Sequence, residues 1–199
     1  VSSIAAAGLY PGVFKEDMFD EAEGLDDPYF RTKHDSEGMV RREYPRPYRI
    51  YRPAIVLGHS QTGEIDKIDG PYYFFRLIKR MRALLPQWVP TIGIEGSRLN
   101  MVPVDYVADA MDWIAHKPGL DGHCFHLADP APQRVGEALN TFARAANAPQ
   151  MTMRVDARMF AFVPPMVRGA IFNLPPVKRF TNMMLRDLGI PRQILKYIN

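Results

Sequence analysis

The chain is 199 residues long, 47% apolar and 24% charged, with a formal charge of +3, which describes a soluble globular protein with room for one substantial core and gives little reason to expect a nucleic-acid partner. Its single cysteine excludes an internal disulfide and fits a reducing compartment. No apolar run approaches the roughly 20 residues of a membrane span and the first residues lack the basic-then-apolar pattern of a secretion signal, so the sequence reads as cytoplasmic.

Val1 to Gly8 reads as a short apolar strand of small residues breaking at Gly8, with Ser2 and Ser3 where a strand meets a loop. Residues 9 to 25 read as a loop with an acidic cluster, carrying Tyr10 and Phe14. Asp26-Asp27-Pro28 then supplies a helix start, with Asp at the cap and Pro at the first helical position. The helix is expected to run to about Glu43, because Pro45 and Pro47 cannot continue it, with Glu37 and Arg41 as an i, i+4 pair on its outer face. Tyr29 and Lys33 also stand at i and i+4, which brings a phenol and an ammonium to one helical face. A phenol with an ordinary pKa of about 10 shuttles protons poorly at neutral pH, and an adjacent cation favours its phenolate. A serine hydroxyl brought up from the neighbouring strand end, that of Ser3, can hydrogen-bond an oxygen that gains charge when hydride reaches a carbonyl carbon.

From Tyr48 to Gly58 the sequence is nearly continuous in Ile, Val and Tyr, as expected of a parallel strand covered on both faces. Pro53 within it argues for a strand end at that point, lining a pocket. Gly58 to Pro71 is polar and glycine-bearing. Tyr72 to Leu85 has helical periodicity, and Thr91 to Val102 reads as short extended pieces around glycines. Asp105 opens a helix to about Ala115 with Val107, Ala110, Met111 and Ile114 as its buried stripe. His123-Cys124-Phe125-His126 contains good zinc ligands, but strand alternation separates His123 from Cys124 and His126, and no second cluster has zinc-like spacing; no metal is expected. A further helix spans about Val135 to Ala146, with Arg134 and Arg144 outward.

Several of these segments, in order, carry a resemblance. Ser2-Ser3 followed by Gly8, the 26-residue step from Ser3 to Tyr29, and Y-x-x-x-K resemble the active-site segment of extended short-chain dehydrogenases/reductases. Arg52-Pro53-Ala54-Ile55-Val56, Gly63-Glu-Ile-Asp-Lys-Ile-Asp-Gly70-Pro71 and Val102-Pro-Val-Asp-Tyr-Val-Ala-Asp-Ala-Met111 resemble the male-sterility or fatty acyl-CoA reductase branch, which includes thioester reductases. The resemblance covers about residues 1 to 145. It implies an α/β fold, the C-terminal half of a doubly wound Rossmann-type parallel sheet, with the catalytic half of the nucleotide-binding domain in residues 1–146. It further implies NADPH-dependent reduction of an acyl-CoA or acyl-carrier-protein thioester, or of the derived aldehyde, with NAD as the other cofactor. Tyr29 would be the proton donor, Lys33 its activator and a ligand of the nicotinamide ribose, and Ser3 the oxyanion stabiliser, with Pro53, Ala54 and Ile55 beside the nicotinamide ring. No G-x-G-x-x-G turn occurs in the sequence, so the resemblance implies a C-terminal part of a longer protein, with an unpaired sheet edge that favours oligomers. Because fold does not fix substrate, a sugar-nucleotide epimerase or dehydratase, a sterol-type dehydrogenase, and a catalytically inactive binding module remain alternatives.

The last segment, residues 147–199, differs in character. Between Met151 and Asn199 eight Lys and Arg stand against Asp156 and Asp187, so this stretch carries +6 and residues 1–150 carry −3. Apolar pieces such as Met159 to Val167 are broken by paired prolines. A helical lid over a long apolar substrate with cations for a CoA phosphate or an acidic carrier protein is one reading. Peripheral contact with an anionic membrane is a second, and a solvated positive face is a third.

Overall fold

A computed structural model describes residues 1–66, 70–95 and 97–156. It is an α/β arrangement in which all but one of the described strand pairs are parallel, as the sequence predicts. Val1–Asp66 and Asn100–Pro132 form one compact unit, and Lys67–Leu99 and Gln133–Asn199 a second.

In the first unit, helix α1 (Pro28–Glu43) begins where its cap predicts: the Asp27 carboxylate accepts from the Tyr29 backbone N–H at 2.8 Å, and Pro28 occupies the first turn. The expected strand from Tyr48 to Gly58 is two strands, β1 (Ile50–Pro53) and β2 (Ile55–Leu57). Its hydrogen bonding changes partner at Ala54, whose N–H reaches Leu127, while that of Ile55 reaches Asn100. β1 therefore lies parallel to β6 (Cys124–Leu127), and β2 parallel to β5 (Met101–Pro103). The Asn100 side chain ties β5 to the end of β6, donating to the Asp129 carbonyl at 2.8 Å and accepting from its N–H at 2.9 Å. Helix α3 (Val104–His116) packs Val107 and Ile114 onto Tyr51, Ala54, Val102 and Leu127, with Ala110 and Met111 partly buried beside them. Tyr51 and Arg52 are adjacent and both buried, so β1 is covered on two faces, by α3 on the Tyr51 side and by α1 on the Arg52 side.

Two expectations need correction here. Val1 to Gly8 is not a strand: Ile4–Ala7 forms a 3-10 turn, because the Ser3 hydroxyl accepts from the Ala5 N–H at 3.2 Å and starts a helical turn. Gly8 closes it at φ 63°, where a Cβ would stand 2.0 Å from the Glu23 carbonyl oxygen. Glu37 is not on the outer face of α1. Its i, i+4 bond to Arg41 exists, at 2.9 Å from Nε, but the carboxylate is buried and turned toward β1.

In the second unit, a 3-10 turn (Gly70–Tyr73) leads into α2 (Phe74–Leu84). β3 (Thr91–Glu95) runs parallel to β8 (Met151–Asp156), and β4 (Arg98–Leu99) antiparallel to β7 (Gln133–Arg134). Helix α4 (Val135–Ala145) buries Ala143 against Ile78 of α2, and its Asn140 side chain bonds both backbone groups of Met151. Of the basic segment 147–199, the described part ends in strand β8, and the rest, with the lid and membrane readings that fall on it, lies outside the described residues.

Candidate active site

The Y-x-x-x-K pair stands where helical spacing puts it. Tyr29 is 55% exposed in the first turn of α1, and the Lys33 ammonium lies 5.8 Å from its ring centroid. Ser3 is half-buried, and its hydroxyl oxygen is used as the cap of the 3-10 turn, which leaves the hydroxyl proton for another acceptor. The turn that Ser3 caps packs on α1: His34, one residue after Lys33, donates from Nδ1 to the Ala6 carbonyl at 3.1 Å, and the Ser2 hydroxyl donates to Glu37 Oε2 at 2.7 Å. The segment holding Ser3 and the helix holding Tyr29 and Lys33 are thus joined directly.

Pro53, Ala54 and Ile55 sit at the point where the backbone leaves β6 for β5, at the carboxyl end of β1. Ile50 and Ala54 direct their N–H groups to the β6 side, whereas the Tyr51 carbonyl accepts from Ser2 on the other side. Pro53, at an odd position, therefore removes no donor from the β6 ladder. A crevice beyond the carboxyl ends of parallel strands, where neighbouring strands diverge, is where α/β sheets take ligands.

One turn beyond Lys33 on α1, Glu37 belongs to a buried polar cluster that sequence reasoning missed. Arg52 is fully buried, and its five N–H groups meet five acceptors: both Glu37 oxygens at 2.6 and 3.0 Å, the Met18 carbonyl at 2.9 Å, the Lys15 carbonyl at 3.4 Å and His126 Nε2 at 3.2 Å. Because arginine only donates, His126 accepts through Nε2 as a neutral ring. Burial first, and then the Arg52 charge, holds its pKa below the ordinary value of 6.5. Burial by itself would raise the Glu37 carboxyl, but hydrogen bonds from Arg52 and Ser2 with the charges around them outweigh it and hold the group below its ordinary 4.5. Cys124, on the same strand face as His126, is a buried thiol pushed up to about 11 by desolvation, far from a reactive thiolate.

The loop of residues 9–25 is docked on this cluster. Phe14 lies under the Arg52 guanidinium at 5.1 Å, Phe19 stacks on His34 with ring centroids 4.2 Å apart, and Glu16 accepts from the His126 backbone N–H at 2.6 Å. A signal for Arg52 was present in the sequence: an arginine inside an apolar strand that is covered on both faces needs a buried counter-charge. Further along, the Ser60 N–H and hydroxyl both donate to Asp105 at the start of α3, at 2.9 and 2.5 Å, and these bonds, the side-chain one foremost, lower the Asp105 carboxyl from its ordinary value.

As chemistry, the groups on these joined segments are an exposed phenol, an ammonium close to its ring and a half-buried hydroxyl. Those donors suit the hydroxyls of a ribose and a carbonyl oxygen, so they fit the nicotinamide end of a dinucleotide.

Comparison with known proteins bears on the same residues. A family profile described as "Male sterility protein", an NAD-binding family, matches residues 3–111. The nonribosomal peptide synthetase FrzA of Cladobotryum sp is 34% identical over 131 residues, covering 62% of this chain and 12% of its own. Glycine betaine reductase ATRR of Emericella nidulans is 32% identical over 122 residues, 58% of this chain and 9% of its own. The chain thus spans about a tenth of the length of the curated relatives it matches. Among solved structures, the terminal R domain from the myxalamid PKS-NRPS biosynthetic pathway superposes with a TM-score of 0.58 at 23% identity, covering 96% of this chain and 45% of that one, a likeness of fold.

Proposed function

Because the chain belongs to the male sterility protein family of extended short-chain dehydrogenases/reductases, we propose that it carries the catalytic half of an NADPH-dependent reductase acting on acyl thioesters, of CoA or of an acyl carrier protein, or on the aldehydes they yield. The observation that carries this reading is the exposed Tyr29 with the Lys33 ammonium 5.8 Å from its ring, on a helix bonded directly to the segment that bears Ser3. One of the relatives is itself named as a reductase, of glycine betaine. That supports carbonyl reduction as the reaction class for this chain.

A bound nicotinamide supplies the hydride. Tyr29 and Lys33 would hold the nicotinamide ribose, and Pro53 to Ile55 would line the ring's side of the crevice. As the carbonyl carbon is reduced, the Tyr29 hydroxyl delivers a proton to the carbonyl oxygen, and the Lys33 charge stabilises the phenolate left behind. The Ser3 hydroxyl donates to the same oxygen while its charge develops. With a thioester, collapse of the tetrahedral adduct breaks the C–S bond as the hydroxyl proton returns to the Tyr29 phenolate and passes to the departing sulfur, leaving an aldehyde and a thiol.

The test is NADPH binding and oxidation by the full-length protein with an acyl-CoA and with a free aldehyde, for wild type, Tyr29→Phe and Ser3→Ala. Loss of a general acid lowers kcat by about 10²- to 10⁴-fold, and loss of one oxyanion donor by about 10²- to 10³-fold. Both variants are expected to stay folded and to bind NADPH, Tyr29→Phe more weakly for want of a ribose partner and Ser3→Ala without the cap of the Ile4–Ala7 turn. Unchanged turnover in Tyr29→Phe would sink the reading, and turnover on a nucleotide sugar alone would move the chain to the epimerase branch.

A further inference from the structure

The reductase reading assigns nothing to Arg52 or Glu37, yet every N–H of the Arg52 guanidinium and both Glu37 oxygens are hydrogen-bonded. Arg52 is 0% and Glu37 3% exposed. The Glu37 carboxylate accepts four hydrogen bonds, from Arg52 Nη2 and Arg41 Nε on one oxygen and from Arg52 Nε and the Ser2 hydroxyl on the other. A carboxylate has about four acceptor sites, so all are used.

The bonds converge from separate pieces of chain. Ser2 is held twice, by its backbone N–H on the Tyr51 carbonyl at 2.7 Å and by its hydroxyl on Glu37, and it immediately precedes Ser3. Glu37 follows Lys33 by one turn and Tyr29 by two, about 12 Å along the axis of the helix. Arg52 itself joins β1 to α1 through Glu37, to β6 through His126, and to the loop through the Lys15 and Met18 carbonyls. It bonds to neither Ser3 nor Tyr29.

Apolar packing on α1 comes from the loop, through Phe19 against His34 and Gly38. The fully buried residues of α1 are Glu37 and Gly38, so neither brings an apolar side chain to the sheet. Hydrophobic contact is in any case non-directional, whereas a bidentate guanidinium–carboxylate pair fixes distance and orientation together. A buried ion pair contributes little net stability compared with an apolar pair of the same volume, which leaves the fixing of geometry as what this one supplies.

We propose that Arg52 is a positioning residue for the reaction: acting through Glu37 and Ser2, it sets the Ser3 hydroxyl at its working distance from the Tyr29 phenol. The proposal rests on the reductase reading, since it names the support of that same site. A misplacement of about 1 Å between reacting groups lowers turnover by up to about 100-fold, with binding of the substrate much less affected.

The experiment is a kinetic double-mutant cycle in the full-length protein. Arg52→Lys keeps the charge but cannot reproduce the planar fork. It is expected to lower kcat about 10- to 100-fold, with KM for NADPH and for the acyl substrate within about 3-fold of wild type. In a Ser3→Ala background the same change should cost less than about 3-fold more, because there is no longer a Ser3 hydroxyl to misplace. A kcat within about 2-fold of wild type, or a loss that adds fully to that of Ser3→Ala, would overturn the proposal. Should Arg52→Lys not fold, Ser2→Ala removes only the hydroxyl-to-Glu37 bond and leaves the ion pair in place. It is expected to lower kcat about 3- to 10-fold and non-additively with Ser3→Ala, and an unchanged kcat would refute the idea. Absence of wild-type turnover would refute the reductase reading instead. Positioning is then read by hydrogen exchange at Ala5, Ala6 and Gly8, which quickens in Ser2→Ala if the proposal holds and stays the same if it does not.

Discussion

Replacing Glu37 by Ala tests how the buried cluster divides its energy between stability and geometry. The change deletes the carboxylate and leaves the Arg52 guanidinium, fully buried, with two of its five N–H groups unpaired. Three acceptors remain, His126 and the Lys15 and Met18 carbonyls, but none carries a counter-charge. Breaking a buried pair from one side costs about 3–5 kcal/mol, because the surviving charge has neither water nor partner. For a chain of this length that is roughly 6–20 °C in Tm. The apolar double variant Glu37→Met with Arg52→Leu removes both charges, and its cost is expected to fall to about 1–2 kcal/mol, what remains being the Ser2 hydroxyl, the part-exposed Arg41 guanidinium, His126 Nε2 and the two loop carbonyls left to find water. Urea unfolding followed by circular dichroism, with m-values compared to confirm a common unfolded state, gives the three free energies. A single variant destabilised by less than about 1 kcal/mol, or a double variant as unstable as the single, would refute the reasoning. The double variant carries a second consequence. If it folds as firmly as wild type and yet turns over slowly, stability and positioning have been separated in one molecule.

Two other outcomes follow from local geometry and charge. Gly8→Ala forces a side chain into a left-handed turn and to within 2.0 Å of the Glu23 carbonyl oxygen, so the bridge between Gly8 and Glu23 must open; a loss of at least about 1–3 kcal/mol in chemical unfolding is expected, and a neutral result would contradict the turn. Acid should weaken the protein in two stages. The His126 pKa is depressed below 6.5, so the unfolded state takes up its proton first and stability starts to fall as pH drops through about 6.5; Glu37 is depressed below 4.5, so its contribution is complete above that value and is lost as pH falls through its lowered folded pKa. Melting temperatures from pH 7.5 down to about pH 2.5 read both stages, and a His126→Gln variant that still shows the first stage would refute its assignment.

What was legible in the sequence was legible because it is local. Asp27 and Pro28 set the start of α1, Pro45 and Pro47 forbid its continuation, and a spacing of four then puts Tyr29 and Lys33 together without reference to the rest of the chain. The stripe of α3 from Val107 to Ile114 was readable for the same reason. What was missed depends on partners distant in the chain. Glu37 with Arg41 looks like a solvated helical pair until Arg52, fifteen residues on, is seen to face it. Val1 to Gly8 is short and rich in alanine, so periodicity does not separate a strand from a turn, and the Ser3 cap decided it. Pro53 marked a break in the strand, but the exchange of partners there, from Leu127 to Asn100, is set by residues some 45 to 75 positions away.

The division between exposed chemistry and buried support also bears on how one fold serves several reactions. Tyr29 lies open to solvent, and the groups that hold its helix lie beneath it, in a face from which water is excluded. On the proposed reading, side chains at the exposed level would meet the substrate and could change with it. Changes at the buried level alter the spacing between the Ser3 turn and α1, which any reaction using a hydroxyl and a phenol together must keep. On the proposed reading, the Tyr29–Lys33 pair and its polar support would hold a proton donor at a fixed place, and the choice of carbonyl compound would fall to other residues around the bound substrate. Substrate specificity should accordingly respond to changes around the polar turn from Gly58 to Glu64, which the Ser60–Asp105 bonds anchor to α3, and the rate of proton delivery to changes around Arg52.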